Sequence, residues 1–197
     1  MKLLAIETSC DETAAAVVAD GRTVLSNIIA SQVEEHIIYG GVVPEIASRK
    51  HVELVDVIYR RALSEAGLSL DQIDCLACTN GPGLIGSLLV GLMFAKGLSL
   101  SRNKPMVAVN HVEAHAMSIF LEQEPEFPFI ALIVSGGHTL LLHFQEPCKY
   151  RLIGSTKDDA AGEAFDKIAK FLGLGYPGGG IVEEQARSGD PGFISFA

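Results

Sequence analysis

His111 and His115 stand four residues apart in Asn110-His111-Val112-Glu113-Ala114-His115-Ala116-Met117. On an α-helix, residues at this spacing share one face, with β-carbons ~5–6 Å apart. Two imidazoles so placed can reach one divalent ion. The competing reading is a pair of partly buried core histidines. The preceding run Met106-Val107-Ala108-Val109 reads as a buried strand. The pair is thus expected where a strand ends and a helix begins, which is where open α/β sheets bind ligands. The motif is not that of a zinc protease: Val112 holds the place of the catalytic glutamate, and Glu113, one residue later, turns away from the shared face. Two histidines are also too few for a stable site, so at least one further ligand, usually a carboxylate, must come from elsewhere.

The elements that position this pair follow from apolar patterning. Lys2 to Thr8 reads as a buried strand, Thr13 to Val18 as its return, and Thr23 to Ile29 as a third strand, with Asp20-Gly21 as a hairpin turn. Pro44 opens a helix with apolar positions Ile46, Val52, Val55, Ile58 and Leu63, which Gly67 ends. Asp74 to Thr79 is a strand, and Asn80-Gly81-Pro82-Gly83 turns the chain into a helix reaching about Leu100. Strand Met106–Val109 and helix Glu113–Leu121 complete a β-β-β-α-β-α-β-α order. The polar, proline-bearing stretch Glu122 to Pro128 reads as a linker or long loop. The opening pattern then recurs: a buried strand Phe129–Ser135, the turn Gly136-Gly137-His138, strands Thr139–Phe144 and Tyr150–Ser155, and a helix Asp159–Leu172. Two copies of one unit, each offering a turn of small residues, predict two lobes around a cleft. Such turns suit phosphate oxygens. No P-loop and no strand-linked dinucleotide fingerprint occurs.

The chain has 197 residues, 48% of them apolar, which suits one large domain or two small ones. No apolar run approaches the ~18–20 residues needed to span a bilayer, and the amino terminus lacks a signal-peptide layout. These features predict a cytoplasmic chain without a membrane partner. Cys75 and Cys78 fall on one apolar strand and read as core residues in a reducing compartment, not as a zinc or redox pair. The net charge of −9 argues against strong nucleic-acid binding by this chain alone. Local basic candidates are Arg49-Lys50-His51, Arg60-Arg61, and Lys157 with Lys167 and Lys170; the plainer reading of each is a solvated helix face. A nucleic-acid substrate would then need positive surface from a partner.

Seven segments in order carry a signature: Ile6 to Thr13, Gly40 to Glu45, Gly81 to Leu84, Asn110 to His115, Val134 to Thr139, Asp158 to Lys167, and Gly175 to Gly179. Together they closely resemble the TsaD/Gcp family, tRNA N6-adenosine threonylcarbamoyltransferases formerly labelled O-sialoglycoprotein endopeptidases. The resemblance covers essentially the whole chain. It implies an α/β fold of the actin/Hsp70/sugar-kinase (ribonuclease H-like) type, built of duplicated β-β-β-α units. Residues 1–122 would form the first lobe, with the paired-histidine metal site, and residues 129–197 a partial second lobe with the adenylate-binding turn. The implied reaction moves threonylcarbamoyl from threonylcarbamoyl-AMP to N6 of adenosine 37 in tRNAs reading ANN codons.

The resemblance also implies site residues and partners. His111 and His115 would bind one divalent ion, iron first and zinc as the alternative. Ile133, Val134, Ser135, Gly136, Gly137, Asp166 and Gly179 would contact the adenylate. Asp166 suits a ribose hydroxyl, although acids near a helix start, here Asp158, Asp159, Glu163 and Asp166, also stabilise any helix. Asp11 or Glu12, on the first small-residue turn, is the candidate base or acceptor-orienting group; the plainer reading is a turn cap and a solvated carboxylate. TsaB-like and TsaE-like subunits and tRNA are the implied partners. Family members continue well beyond Ala197, and that further segment would carry a third metal ligand, an aspartate, and a nucleotide-contacting asparagine. Gly180 stands where the family usually has proline. The chain is therefore expected to be a truncated form with weak or no activity alone. The alternative is a non-catalytic assembly module of the same complex; a sugar or acetate kinase of the same fold leaves the histidine pair unexplained.

Overall fold

A computed structural model describes residues 1–195. The described residues divide into two units, residues 1–35 with 42–126, and residues 36–41 with 127–195. In the first unit, strands β1 (Lys2–Glu7), β2 (Glu12–Ala19), β3 (Thr23–Ser31), β4 (Cys75–Gly81) and β5 (Met106–Asn110) form one sheet in the order β3-β2-β1-β4-β5. β1 pairs antiparallel with β2 and parallel with β4, and β4 pairs parallel with β5. The β2–β3 hairpin turns at Asp20 and Gly21, both at positive φ (52° and 78°). Two such residues in succession give a turn whose twist matches the strands.

A short helix α1 (Val33–Ile37) precedes α2 (Pro44–Glu65), and α3 (Ile85–Arg102) follows β4. Proline at the first turn of α2 donates no N–H where none is needed. The buried stripe of α2 is Ala47, His51, Val55, Ile58, Tyr59, Ala62 and Leu63. Val55, Ile58 and Leu63 lie on that stripe as the periodicity predicts, whereas Ile46 is only half-buried and Val52 is 65% exposed. A histidine fills the place that periodicity gave to an aliphatic residue. The core joins Leu4, Val17, Ile28, Ile58, Ala62, Ile73 and Leu76, and beside it Ile6, Val55, Cys78 and Ala95 pack together.

α3 spans 18 residues and is, among the described residues, the one helix long and apolar enough by composition to cross a membrane. Its small residues Ser87, Gly91 and Ala95 are buried. A Cβ on Gly91 would lie 2.4 Å from Thr8 Oγ1, so the helix approaches the end of β1 as closely as glycine permits. β5 is also not the buried strand the sequence suggests. It lies at the sheet edge, where Val107 is 51% exposed, because only one neighbour covers it.

In the second unit, β6 (Phe129–Val134), β7 (Thr139–Glu146) and β8 (Lys149–Ser155) form an antiparallel sheet in sequence order. Phe129, Phe144 and Tyr150 fall in register across it; Phe129 stacks on Phe144 with centroids 5.1 Å apart, and Tyr150 meets Phe144 at a tilt with centroids 4.9 Å apart. Phe144 is fully buried. β6 is an edge strand with only alternate residues half-covered, not a buried strand: Ile130 and Leu132 are 63% and 64% exposed. Helices α5 (Ala161–Phe171) and α6 (Gly178–Ala186) complete the unit. A Cβ on Gly178 would strike the Phe165 carbonyl at 2.4 Å, which fixes how tightly α6 starts against α5.

Candidate active site

The histidine pair sits at the point where β5 hands over to helix α4 (His111–Met117). Asn110 caps that helix, its Oδ1 accepting the Glu113 N–H at 3.1 Å. The cap makes His111 the first helical residue and brings His115 around one turn later. Their Nε2 atoms lie 3.2 Å apart, with the rings at 82° to each other. Glu113 contributes its backbone N–H to the cap.

Glu7, at the carboxyl end of β1, lies beside the pair. Its Oε2 is 3.4 Å from His111 Nδ1, which also lies 3.1 Å from Ser9 Oγ. The other carboxylate oxygen accepts the Ser9 backbone N–H. Burial pushes the Glu7 carboxyl up, but hydrogen bonds with His111, Ser9 and Thr79 outweigh it and hold it at about 2. Glu7 is therefore a carboxylate at any physiological pH. Glu7 falls within the Ile6-to-Thr13 segment, and a carboxylate ending an apolar strand is the sequence signal that marks it.

The turn after β1 is packed, not open. Ser9 and Asp11 are buried, the Leu84 N–H donates to the Ser9 carbonyl, and the Gln32 N–H donates to the Asp11 carbonyl. His51 reaches in from α2: its Nε2 donates to the Cys10 carbonyl at 2.9 Å, and Nδ1 accepts from Thr13 Oγ1 at 2.8 Å. His51 is 0% exposed, so it is no part of a phosphate-binding surface. Arg49, Lys50, Arg60 and Lys167 are each paired with nearby acids. Ser9 N–H is taken by Glu7, which leaves the first turn poorly suited to cradle phosphate.

Glu12 keeps its outer surface exposed, yet its carboxyl is raised to about 7. Desolvation contributes most, then the Asp11 charge and hydrogen bond and the Glu7 charge, with His111 opposing. The Cys10 thiol is pushed up to about 12 by burial and by Asp11, which leaves no thiolate nucleophile there at neutral pH.

In the second unit, Ile133 and Val134 end β6 and lead into the Ser135-Gly136-Gly137-His138 turn. Ser135 N–H donates to the His138 carbonyl at 2.8 Å, and the Gly162 N–H, at the start of α5, donates to the Ser135 carbonyl. A Cβ on Gly162 would meet Ser135 and Gly136 backbone at 2.7–2.8 Å. The helix start thus rests directly on the turn. Gly136 and Gly137 are exposed, and a Cβ on either would meet nothing within 4 Å. Asp166 Oδ1 accepts the Gly178 N–H at 2.7 Å, so one of its oxygens holds the start of α6. Gly179 has open space around it.

A family model described as "TsaD: tRNA N6-adenosine threonylcarbamoyltransferase" matches residues 23–197. The chain belongs to the TsaD family. Among the relatives of this TsaD-family chain, the tRNA N6-adenosine threonylcarbamoyltransferase of Geobacter sp. (strain M21) is 59% identical over all of this chain and 57% of its own length. That of Clostridium perfringens is 54% identical over 98% of this chain and 58% of its own. The chain thus spans a little over half the length of the curated relatives it matches. Among solved structures, YeaZ from Pseudomonas aeruginosa aligns with a TM-score of 0.52 at 23% identity, over 82% of this chain and 68% of its own. ROK hexokinase from Thermus thermophilus aligns at 0.51 and 17% identity, over 98% and 71%. These likenesses show the fold, which is of the actin/Hsp70/sugar-kinase class. The position of Glu113 gives no support to the old peptidase label.

Proposed function

We propose that this chain carries the metal-binding histidines and the catalytic acid turn of a threonylcarbamoyltransferase acting on N6 of adenosine 37 in tRNA. The observation that supports this reading most directly is the 3.2 Å between His111 Nε2 and His115 Nε2. Two nitrogen ligands of a tetrahedral zinc-like ion, each bonded at about 2.0–2.1 Å, lie about 3.3–3.4 Å from each other. That separation matches what one divalent ion, iron or zinc, would require of these two nitrogens. Among the described residues no group of three or more His, Cys, Asp or Glu side chains is placed to hold a metal. His111 and His115 would supply two of its ligands, and the remainder would come from outside this set. When bound, such an ion stabilises negative charge developing on carbamoyl or phosphate oxygens.

The adenine amine is a weak nucleophile and must lose a proton as the new C–N bond forms. The C–O bond to AMP breaks with its electron pair on the phosphate. Glu12 suits the proton acceptor, since a carboxyl near pKa 7 is partly ionised at neutral pH and holds a proton well. Asp11 acts through Glu12 by raising it. The Ser135-Gly136-Gly137 turn, with Ile133, Val134, Asp166 and Gly179, would hold the adenylate; the exposed Gly136 and Gly137 leave room for its approach. Threonylcarbamoyl-AMP, tRNA and TsaB-like and TsaE-like subunits are the partners this reading requires.

The test uses a version extended to the length of its curated relatives, with partner subunits, labelled threonylcarbamoyl-AMP and tRNA. His111→Ala, His115→Ala and Glu12→Gln should each lose most turnover, with adenylate binding retained in Glu12→Gln. Unchanged turnover in Glu12→Gln removes it as the base, and unchanged turnover in both histidine variants sinks the reading. The 197-residue chain alone is expected to transfer at background level.

A further inference from the structure

We propose that Glu7 is the positioning residue of the histidine pair: it fixes the His111 proton on Nδ1 and thereby presents the Nε2 lone pair beside His115. This deepens, and rests on, the metal reading above. A neutral imidazole carries one proton, and the group facing each nitrogen decides where it sits. His111 Nδ1 faces two oxygens, Ser9 Oγ at 3.1 Å and Glu7 Oε2 at 3.4 Å. A hydroxyl tolerates either tautomer, because it donates or accepts by rotating. A carboxylate only accepts. With the proton on Nε2, the Nδ1 lone pair would point at an anionic oxygen in surroundings where Glu7 and His111 are 32% and 21% exposed. Glu7, not Ser9, therefore sets the tautomer.

The consequence reaches the other end of the ring. A proton on Nδ1 leaves His111 Nε2 as a bare acceptor 3.2 Å from His115 Nε2. In the metal-free chain His115 donates its Nε2–H across that gap. Binding an ion requires only His115 to move its proton, since His111 is already set. Glu7 is itself anchored: the Ser9 N–H holds one oxygen, and Thr79 also hydrogen-bonds the carboxylate. A carboxylate behind a metal-ligating histidine typically contributes 10–100-fold in affinity.

The anchoring makes one substitution unusually informative. In Glu7→Gln, the Ser9 N–H retains the amide oxygen, so the NH2 group is turned toward His111 Nδ1. An acceptor becomes a donor in the same place, and the tautomer must reverse. The experiment is a long-range 1H–15N correlation spectrum of the metal-free 197-residue chain, labelled at histidine, above pH 8, with far-UV circular dichroism confirming the fold. The wild-type chain should show His111 protonated at Nδ1, Glu7→Gln should show Nε2–H, and Ser9→Ala should keep the wild-type pattern. In a version extended to the length of its curated relatives, Co2+ affinity followed by d–d absorption should weaken about 10–100-fold in Glu7→Gln. Wild-type His111 protonated at Nε2, or reversal in Ser9→Ala but not in Glu7→Gln, overturns the proposal. A tautomer that reverses as stated while the extended version binds no Co2+ upholds the positioning role and counts against the metal reading instead.

Discussion

A β-carbon placed on Gly83 would lie 2.5 Å from the carbonyl oxygen of Ser9, inside any permitted contact. The loop leading into α3 therefore rests on the same turn that Glu7 braces and that leads to Glu12, and the Leu84 N–H bonds that very oxygen at 2.8 Å. Gly83→Ala should cost about 1–3 kcal/mol, the usual penalty for overpacking, and should weaken Co2+ binding of the extended version by displacing the Ser9 N–H that anchors Glu7. Gly97, in the interior of α3 with open space around it, is the control. Gly97→Ala should add about 0.5–1 kcal/mol through helix propensity. Urea unfolding of both variants reads the contrast.

His51 and Arg49 lie two residues apart on α2, one fully buried and the other on the surface. His51→Leu strands the Cys10 carbonyl and the Thr13 hydroxyl without their partner and should cost about 2–4 kcal/mol. Arg49→Ala removes an exposed ion pair and should cost under about 0.5 kcal/mol. Equal effects in denaturant titrations would show that the buried bonding of His51 contributes little.

The Glu12 carboxyl carries a pH signature of determinable sign. Its folded value, about 7, lies above the ordinary 4.5, so the folded chain binds more protons than the unfolded chain between those values. Stability should fall as pH rises through that window. Glu12→Gln removes this contribution, and its melting temperature relative to the wild-type chain should be higher at pH 8 than at pH 4.5. In the transfer reaction the base must be ionised, so turnover should rise as pH passes about 7 and lose that step in the variant.

β6 presents Ile130, Leu132 and Val134 to solvent along an edge strand. Such an edge invites pairing with another chain. Replacing Ile130 and Leu132 with threonine should raise the concentration at which the 197-residue chain stays monodisperse in light scattering, while shifting its melting temperature little. Phe144→Ala, on the covered face, should instead cost about 3–5 kcal/mol.

The sequence by itself determined whatever depends on near neighbours in the chain. The four-residue spacing put His111 and His115 on one helical face, Asp20-Gly21 turned the first hairpin, and alternating apolar runs located the strands within a residue or two. It misjudged β5 and β6 as buried because an apolar strand reads alike at the centre and edge of a sheet. It placed His51 on a basic surface because the charge of a residue says nothing about which way its helix turns. Only tertiary structure brought Glu7 against His111 across 104 residues, and only the packing of Asp11 and Glu7 around Glu12 raised that carboxyl. Periodicity fixes the face of an element; what that face meets is set by sheet order and burial, and proton affinities follow from those.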